Sequence, residues 1–221
     1  MEPAADAWAA LTEAWRLSFS LAWEAYGAGS APVGAVVVDG RDEVVATGRN
    51  RARERAGPAG QLVHTSLAHA EVNALAGLDA SGRYRDHVLY TTHEPCMMCV
   101  GAAHAATVGE IRYAGAAPYR GMASHRTLLA AAEVEPVPLH GPRDDEFGCL
   151  ASALLFAFYL EHPATSSDPM AALERELPHA AAAGRSLMEM GARALAVGGV
   201  AMPEALPTVW PALVAAGKLG G

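Results

Sequence analysis

The chain has 221 residues, enough for one compact domain with an appended arm but too few for two full domains. Hydrophobic residues make up 52%, but 49 of the 221 are alanine; the Leu, Val, Trp and Phe that remain still suffice for a sizeable core. Formal charge is −8, and 15 of the 16 basic residues are arginine, with Lys218 the single lysine. That balance argues against a nucleic-acid partner, because phosphate contacts from basic side chains supply most of such affinity.

Trp8, Leu11, Trp15, Phe19, Trp23 and Tyr26 recur every three to four residues, which predicts a helix stopped by Gly27 and Gly29. Two β-rich runs follow, Val33–Val38 and Glu43–Gly48, joined by Asp39-Gly40, a hairpin signal. After an Arg- and Gly-rich loop, Leu67–Leu78 reads as a second helix. Strands at His87–Thr92 and Glu110–Ala114 flank a third helix, Pro95 to about Ala106. A fourth helix is expected at His125–Ala132, a strand at Val134–Leu139 and an apolar helix at Glu146–Leu160. This order implies an α/β fold, a mixed sheet covered by helices on both faces.

Residues 161–169 are rich in Pro, Ser and Thr and read as a linker. Residues 170–221 form an Ala-rich extension with two helices, broken by Gly198-Gly199, Pro203 and Pro207. The longest strongly apolar run, Cys149–Leu160, is 12 residues, short of a bilayer span. The acidic start, Met1–Asp6, has no basic lead into an apolar stretch, so no signal peptide is expected. Three cysteines are too few for a disulfide framework and favour a reducing cytoplasm.

Two stretches carry chemistry: His69-Ala70-Glu71 and Glu94-Pro95-Cys96-Met97-Met98-Cys99. Cys96 and Cys99, three apart on a predicted helix, face the same side. Pro95 suits a first helical position, which puts both thiols in the opening turn, where free N–H groups and the helix dipole favour thiolates. Two thiolates and the His69 imidazole make three protein ligands, the count of catalytic zinc with a fourth position left for water. Residues two apart on a helix diverge, so His69 and Glu71 reach one site only at the helix end. Glu71 then neighbours the metal-bound water. Zn²⁺ with two thiolates is formally neutral and polarises water weakly, so a nearby general base becomes valuable. Cys149, inside an apolar run, reads as an inert buried thiol.

The joint motif resembles the cytidine/deoxycytidylate deaminase superfamily, whose signature is H-x-E followed by P-C-x-x-C. Leu89 to Ala102 is similar almost residue for residue to the guanine deaminase and tRNA adenosine deaminase branches, as is the Pro32–Val38 hairpin strand followed by Gly48-Arg49-Asn50-Arg51. The resemblance spans roughly Leu11–Leu160. It implies a three-layer α/β/α sandwich with about five strands in a mixed central sheet, a homodimer, and one Zn²⁺ per chain on His69, Cys96 and Cys99. It further implies hydrolytic release of ammonia from an aminated ring, attacked by zinc-bound hydroxide, with Glu71 shuttling protons. Asn50 and the Ala70 backbone N–H would bind the ring. His93 stands where the family often has a small or apolar residue, bordering the pocket and bearing on which base fits.

Asn50 reads equally as a turn residue ending a strand. The Arg49, Arg51, Arg53 and Arg55 cluster is either a solvated loop face or a contact for substrate phosphate. The substrate readings are a free aminated nucleobase, nucleoside or related heterocycle, a transfer RNA adenosine at the wobble position, or none, as in a non-catalytic zinc-binding subunit. Charge favours the small molecule. The presence of Glu71 speaks against the inert subunit.

Overall fold

The computed structural model describes residues 3–119, 121, 137–163 and 167–217. A first helix, α1 (Pro3–Ala10), ends where Thr12 opens α2 (Glu13–Gly27). Thr12 is extended and its side-chain oxygen accepts from the Trp15 N–H, so the single helix expected from the Trp stripe is two. The hairpin β1 (Gly34–Val38) and β2 (Val44–Arg49) pairs antiparallel, with an irregularity at Val37/Val38.

Then come α3 (Ala70–Leu75), β3 (Val88–His93), α4 (Met97–Ala105), β4 (Glu110–Gly115) and the two-residue β5 (Leu139–His140). Helix α3 is shorter than Leu67–Leu78, because the chain reaches His69 extended. The expected helix at 125–132 lies outside the described residues, as do positions 134–136 of the expected strand. Strand order is β2-β1-β3-β4-β5, with β1 antiparallel to both neighbours and β3, β4 and β5 parallel. This is the mixed five-stranded sheet that the sequence implies.

Side-chain alternation sends β1 to two cores. Ala35 and Val37 join Leu89 and Ile111 against Ala70, Ala74, Val100 and Ala103 of α3 and α4. Val36 and Val38 join Tyr90 and Ala114 against Trp15, Phe19 and Trp23 of α2 and the apolar face of α5 (Glu146–Glu161). The Trp stripe is thus core, with Trp15 edge-on to Tyr90 at 5.0 Å.

The C-terminal stretch holds four helices rather than two: α6 (Ser167–Glu176), α7 (Pro178–Glu189), α8 (Ala192–Val197) and α9 (Met202–Gly217). Ser167–Pro169, expected in the linker, form the start of α6. Pro207 and Pro211 lie inside α9 instead of ending it. With Pro203 they recur every four residues on its exposed side, while Met202, Leu206, Val209, Trp210 and Leu213 are buried in the α2/α5 core. Burying that face offsets the roughly 3 kcal/mol that an interior proline costs.

Candidate metal centre and active site

Both motifs sit at helix starts that point toward one another. His69 is the N-cap residue of α3 and Cys96 that of α4, each with extended backbone. Pro95 therefore precedes the cap instead of occupying the first helical position, and Cys96 lies just outside the helix. Cys99, one turn on, is buried. His69 Nδ1 stands 3.4 Å from Cys99 Sγ and 3.8 Å from Cys96 Sγ, and the sulfurs are 3.6 Å apart. A tetrahedral Zn²⁺ with ordinary bond lengths spaces two sulfurs by about 3.8 Å and a sulfur and nitrogen by about 3.6 Å. The three donors fit that ion, and they are the metal-type cluster found among the described residues. Hydrogen bonding between the two sulfurs holds the Cys96 thiol down to about 3, with His69 acting the same way; the Cys99 thiol is pushed up by that bond and by burial.

Glu71, in the first turn of α3, is 3% exposed. Burial raises its carboxyl above the usual range, opposed in part by His69. Thr91 donates to its Oε1 at 3.3 Å, and the Cys99 thiol is a further partner. Thr91 is a residue that sequence reasoning passed over. Its signal was available: it shares the β3 face with Leu89 and His93.

Close approach of α3 to the sheet depends on Gly48. A Cβ there would lie 2.4 Å from both the Ala70 carbonyl oxygen and the Ala74 nitrogen. Behind α3, buried Asn73 accepts from the Leu62 N–H at 2.7 Å and donates to the Arg49 and Leu62 carbonyls. These bonds fix the loop that begins at Asn50, directly after β2. Asn50 Oδ1 accepts from the Ala52 N–H at 3.1 Å, so the turn reading holds and the side-chain NH₂ is the part left for a ligand.

Asn50, His69, Glu71, His93 and Cys96 line one cavity of about 420 Å³. Its other wall was not anticipated: Leu155, Phe158 and Tyr159 from α5, with Glu94 and Ala117 at the strand ends. Glu94 accepts from the Ala117 N–H at 3.0 Å. A hollow of about 540 Å³ beside Arg143, Ser152 and His179 contains none of the metal donors.

The arginine cluster divides. Arg49 and Arg51 both pair with Glu54, at 2.5 and 2.7 Å, and are largely buried, and Glu24 of α2 stands 3.6 Å from Arg49, so two carboxylates balance the two guanidinium groups. Arg53 lines the cavity, its guanidinium 5.5 Å from the Phe158 ring centre. Arg55 is exposed. Cys149 is half-buried and its thiol is raised to about 11 by burial, which suits an inert role.

A family model described as the cytidine and deoxycytidylate deaminase zinc-binding region matches residues 10–114. The chain is 40% identical over 119 residues to a tRNA(Ile)-lysidine synthase of Deinococcus radiodurans, covering 54% of this chain and 19% of that protein. It is 30% identical over 89 residues to a cytosine deaminase of Candida albicans, covering 39% of this chain and 54% of that one. To a tRNA-specific adenosine deaminase of Haemophilus influenzae it is 38% identical over 90 residues, covering 39% and 47%. This chain thus spans about half the length of the two deaminases and about a fifth of the synthase. A solved structure from work on A-to-I editing by tRNA:A34 deaminases superposes with TM-score 0.53 at 24% identity, covering 64% of this chain and 99% of that one. That likeness establishes the fold.

Proposed function

Through residues 10–114 the chain belongs to the cytidine and deoxycytidylate deaminase family, and from that membership we propose that it is a zinc-dependent hydrolytic deaminase of a free aminated nucleobase, nucleoside or related heterocycle. The observation that carries this reading is the placement of buried Glu71 beside the His69, Cys96 and Cys99 donor set in one cavity. Zn²⁺ held by His69, Cys96 and Cys99 would supply Lewis acidity at the cavity. Glu71 would take a proton from the attacking water and return protons to the ring nitrogen and to the departing amine. Water and the amino-substituted ring carbon thereby become a carbonyl and ammonia. A carboxyl raised by burial suits both halves of that task. The Asn50 NH₂ and the Ala70 N–H orient the ring, and His93 borders it.

Charge supports a small substrate. The protein is at −8, and beside the cavity Arg49 and Arg51 are engaged by Glu54 and Glu24, which weakens the attraction the loop offers a polyanion. The second reading, a transfer RNA adenosine deaminase, is favoured by the 38% identity to the Haemophilus influenzae enzyme. A non-catalytic subunit has no use for a buried proton carrier. We further propose a cytoplasmic homodimer, for which exposed Leu67 and Met97 offer apolar surface; no described helix is long and apolar enough to cross a membrane.

Ammonia release from a panel of aminated heterocycles and nucleosides, set against transfer RNA, tests the proposal. Turnover of the small molecules alone supports it. Turnover of transfer RNA alone gives the second reading, and release from neither removes the activity.

A further inference from the structure

Among the residues lining the same cavity is a polar side chain that no described residue satisfies. His93 is 4% exposed, and neither ring nitrogen has a hydrogen-bond partner among the described residues. The Thr92 backbone acts weakly on the ring without reaching hydrogen-bond geometry. Space for the ring is built in, since a Cβ on the paired strand residue Gly115 would come within 3.0 Å of His93 Cε1. Native proteins pair nearly all buried polar atoms, and an orphan ring on a residue that lines a cavity is open to a partner from outside the chain, reached by a small turn of the ring. Burial holds the imidazole down to about 4, so at neutral pH it is uncharged, with one N–H donor and one acceptor nitrogen.

We propose that His93 is a specificity-determining residue whose ring hydrogen-bonds a lactam edge, a ring N–H beside a carbonyl, on the bound aminated heterocycle. A lactam serves whichever nitrogen faces the cavity: the carbonyl accepts from the imidazole N–H, or the ring N–H donates to the bare nitrogen. A ring of the adenine type, substituted at its sugar position, has acceptors and no ring N–H, so it satisfies one orientation only. A ring lacking the carbonyl loses that acceptor together with the neighbouring ring N–H and offers only bare ring nitrogens, and sites built around a lactam bond reject analogues that lack it. This inference rests on the deaminase reading of the cavity and narrows its substrate class.

The test compares two matched pairs on zinc-loaded protein: cytosine with 4-aminopyrimidine, and guanine with 2-aminopurine, the second of each pair lacking the carbonyl. Both ammonia release and calorimetric binding are measured for wild type, His93→Phe and His93→Gln. Expected is a preference of about tenfold or more for the carbonyl-bearing ring of at least one pair. It should collapse to within about threefold in His93→Phe and recover partly in His93→Gln, which restores a donor and an acceptor. A purely structural role would weaken both members of a pair equally, and that result overturns the proposal, as does an unchanged ratio. Binding with the expected ratios but without ammonia defeats the deaminase reading and leaves the His93 assignment standing. Absence of binding by all four ligands defeats both.

Discussion

Glu71 and His93 share the cavity but differ in what their burial does. For Glu71, burial raises the carboxyl above its ordinary range beside the metal donors; on the proposed proton-carrying role, Glu71→Gln should lower ammonia release about a hundred- to ten-thousand-fold while zinc stoichiometry stays at one per chain. Atomic absorption read beside activity separates this from metal loss, and a zinc-free variant would show that Glu71 is a ligand instead. For His93, burial favours the neutral ring. Its folded value of about 4 lies below the ordinary 6.5, so the unfolded chain takes up a proton first as the pH falls. Stability from this residue is full above about pH 6.5 and is lost between there and about pH 4, reaching about 3 kcal/mol. Urea unfolding of chelator-treated protein between pH 7 and 5 should show wild type losing more stability than His93→Gln. Parallel curves would contradict the assignment.

At the scale of elements, the site exists because two helix starts are brought together at one end of the sheet. Helix α3 reaches its place only because Gly48 on β2 has no side chain. Gly48→Ala forces backbone apart at Ala70 and Ala74 and should cost about 1–3 kcal/mol. Because His69 caps that helix, zinc affinity should fall together with melting temperature. A variant that melts lower but binds zinc normally would show that the two are not coupled. The loop carrying Asn50 is likewise held from α3, by Asn73 on Leu62 and Arg49. Asn73→Ala removes three buried hydrogen bonds at about 1 kcal/mol each. It should raise KM more than it lowers kcat, since it displaces Asn50, whose ring-orienting role is proposed above, and leaves Glu71 in place.

For the whole molecule, the C-terminal helices are part of the core. Trp210 packs on Phe147 at 5.8 Å, the Trp23 ring N–H donates to the Val200 carbonyl, and Tyr26 and Arg193 meet on Glu161. Cutting the chain after residue 163 would bare the buried faces of α2 and α5, so the fragment should aggregate or bind hydrophobic dyes instead of standing as a soluble deaminase. A soluble, cooperatively melting fragment would show that the extension is dispensable. That same α5 supplies Leu155, Phe158 and Tyr159 to the cavity wall, so the extension braces the site from behind.

The chemistry was legible in the sequence because metal ligation and proton transfer depend on residue type and short spacing. His69, Glu71, Cys96 and Cys99 lie in two motifs, each at the start of a periodic segment, and a helix end sets their geometry locally. The hairpin, β3, β4 and the α5 helix were legible for the same reason, since each buries a face with its own period; the strand expected at Val134–Leu139 was not, since 137–138 are irregular and β5 is Leu139–His140. What remained hidden depends on long-range packing. Helix α9 runs through two prolines because burial of its apolar face outweighs local propensity. Only the folded chain sets Phe158 and Tyr159 opposite Asn50, brings Glu24 to Arg49, and leaves the His93 ring without a partner among the described residues. Those facts are made by residues far apart in the chain, and no local period records them.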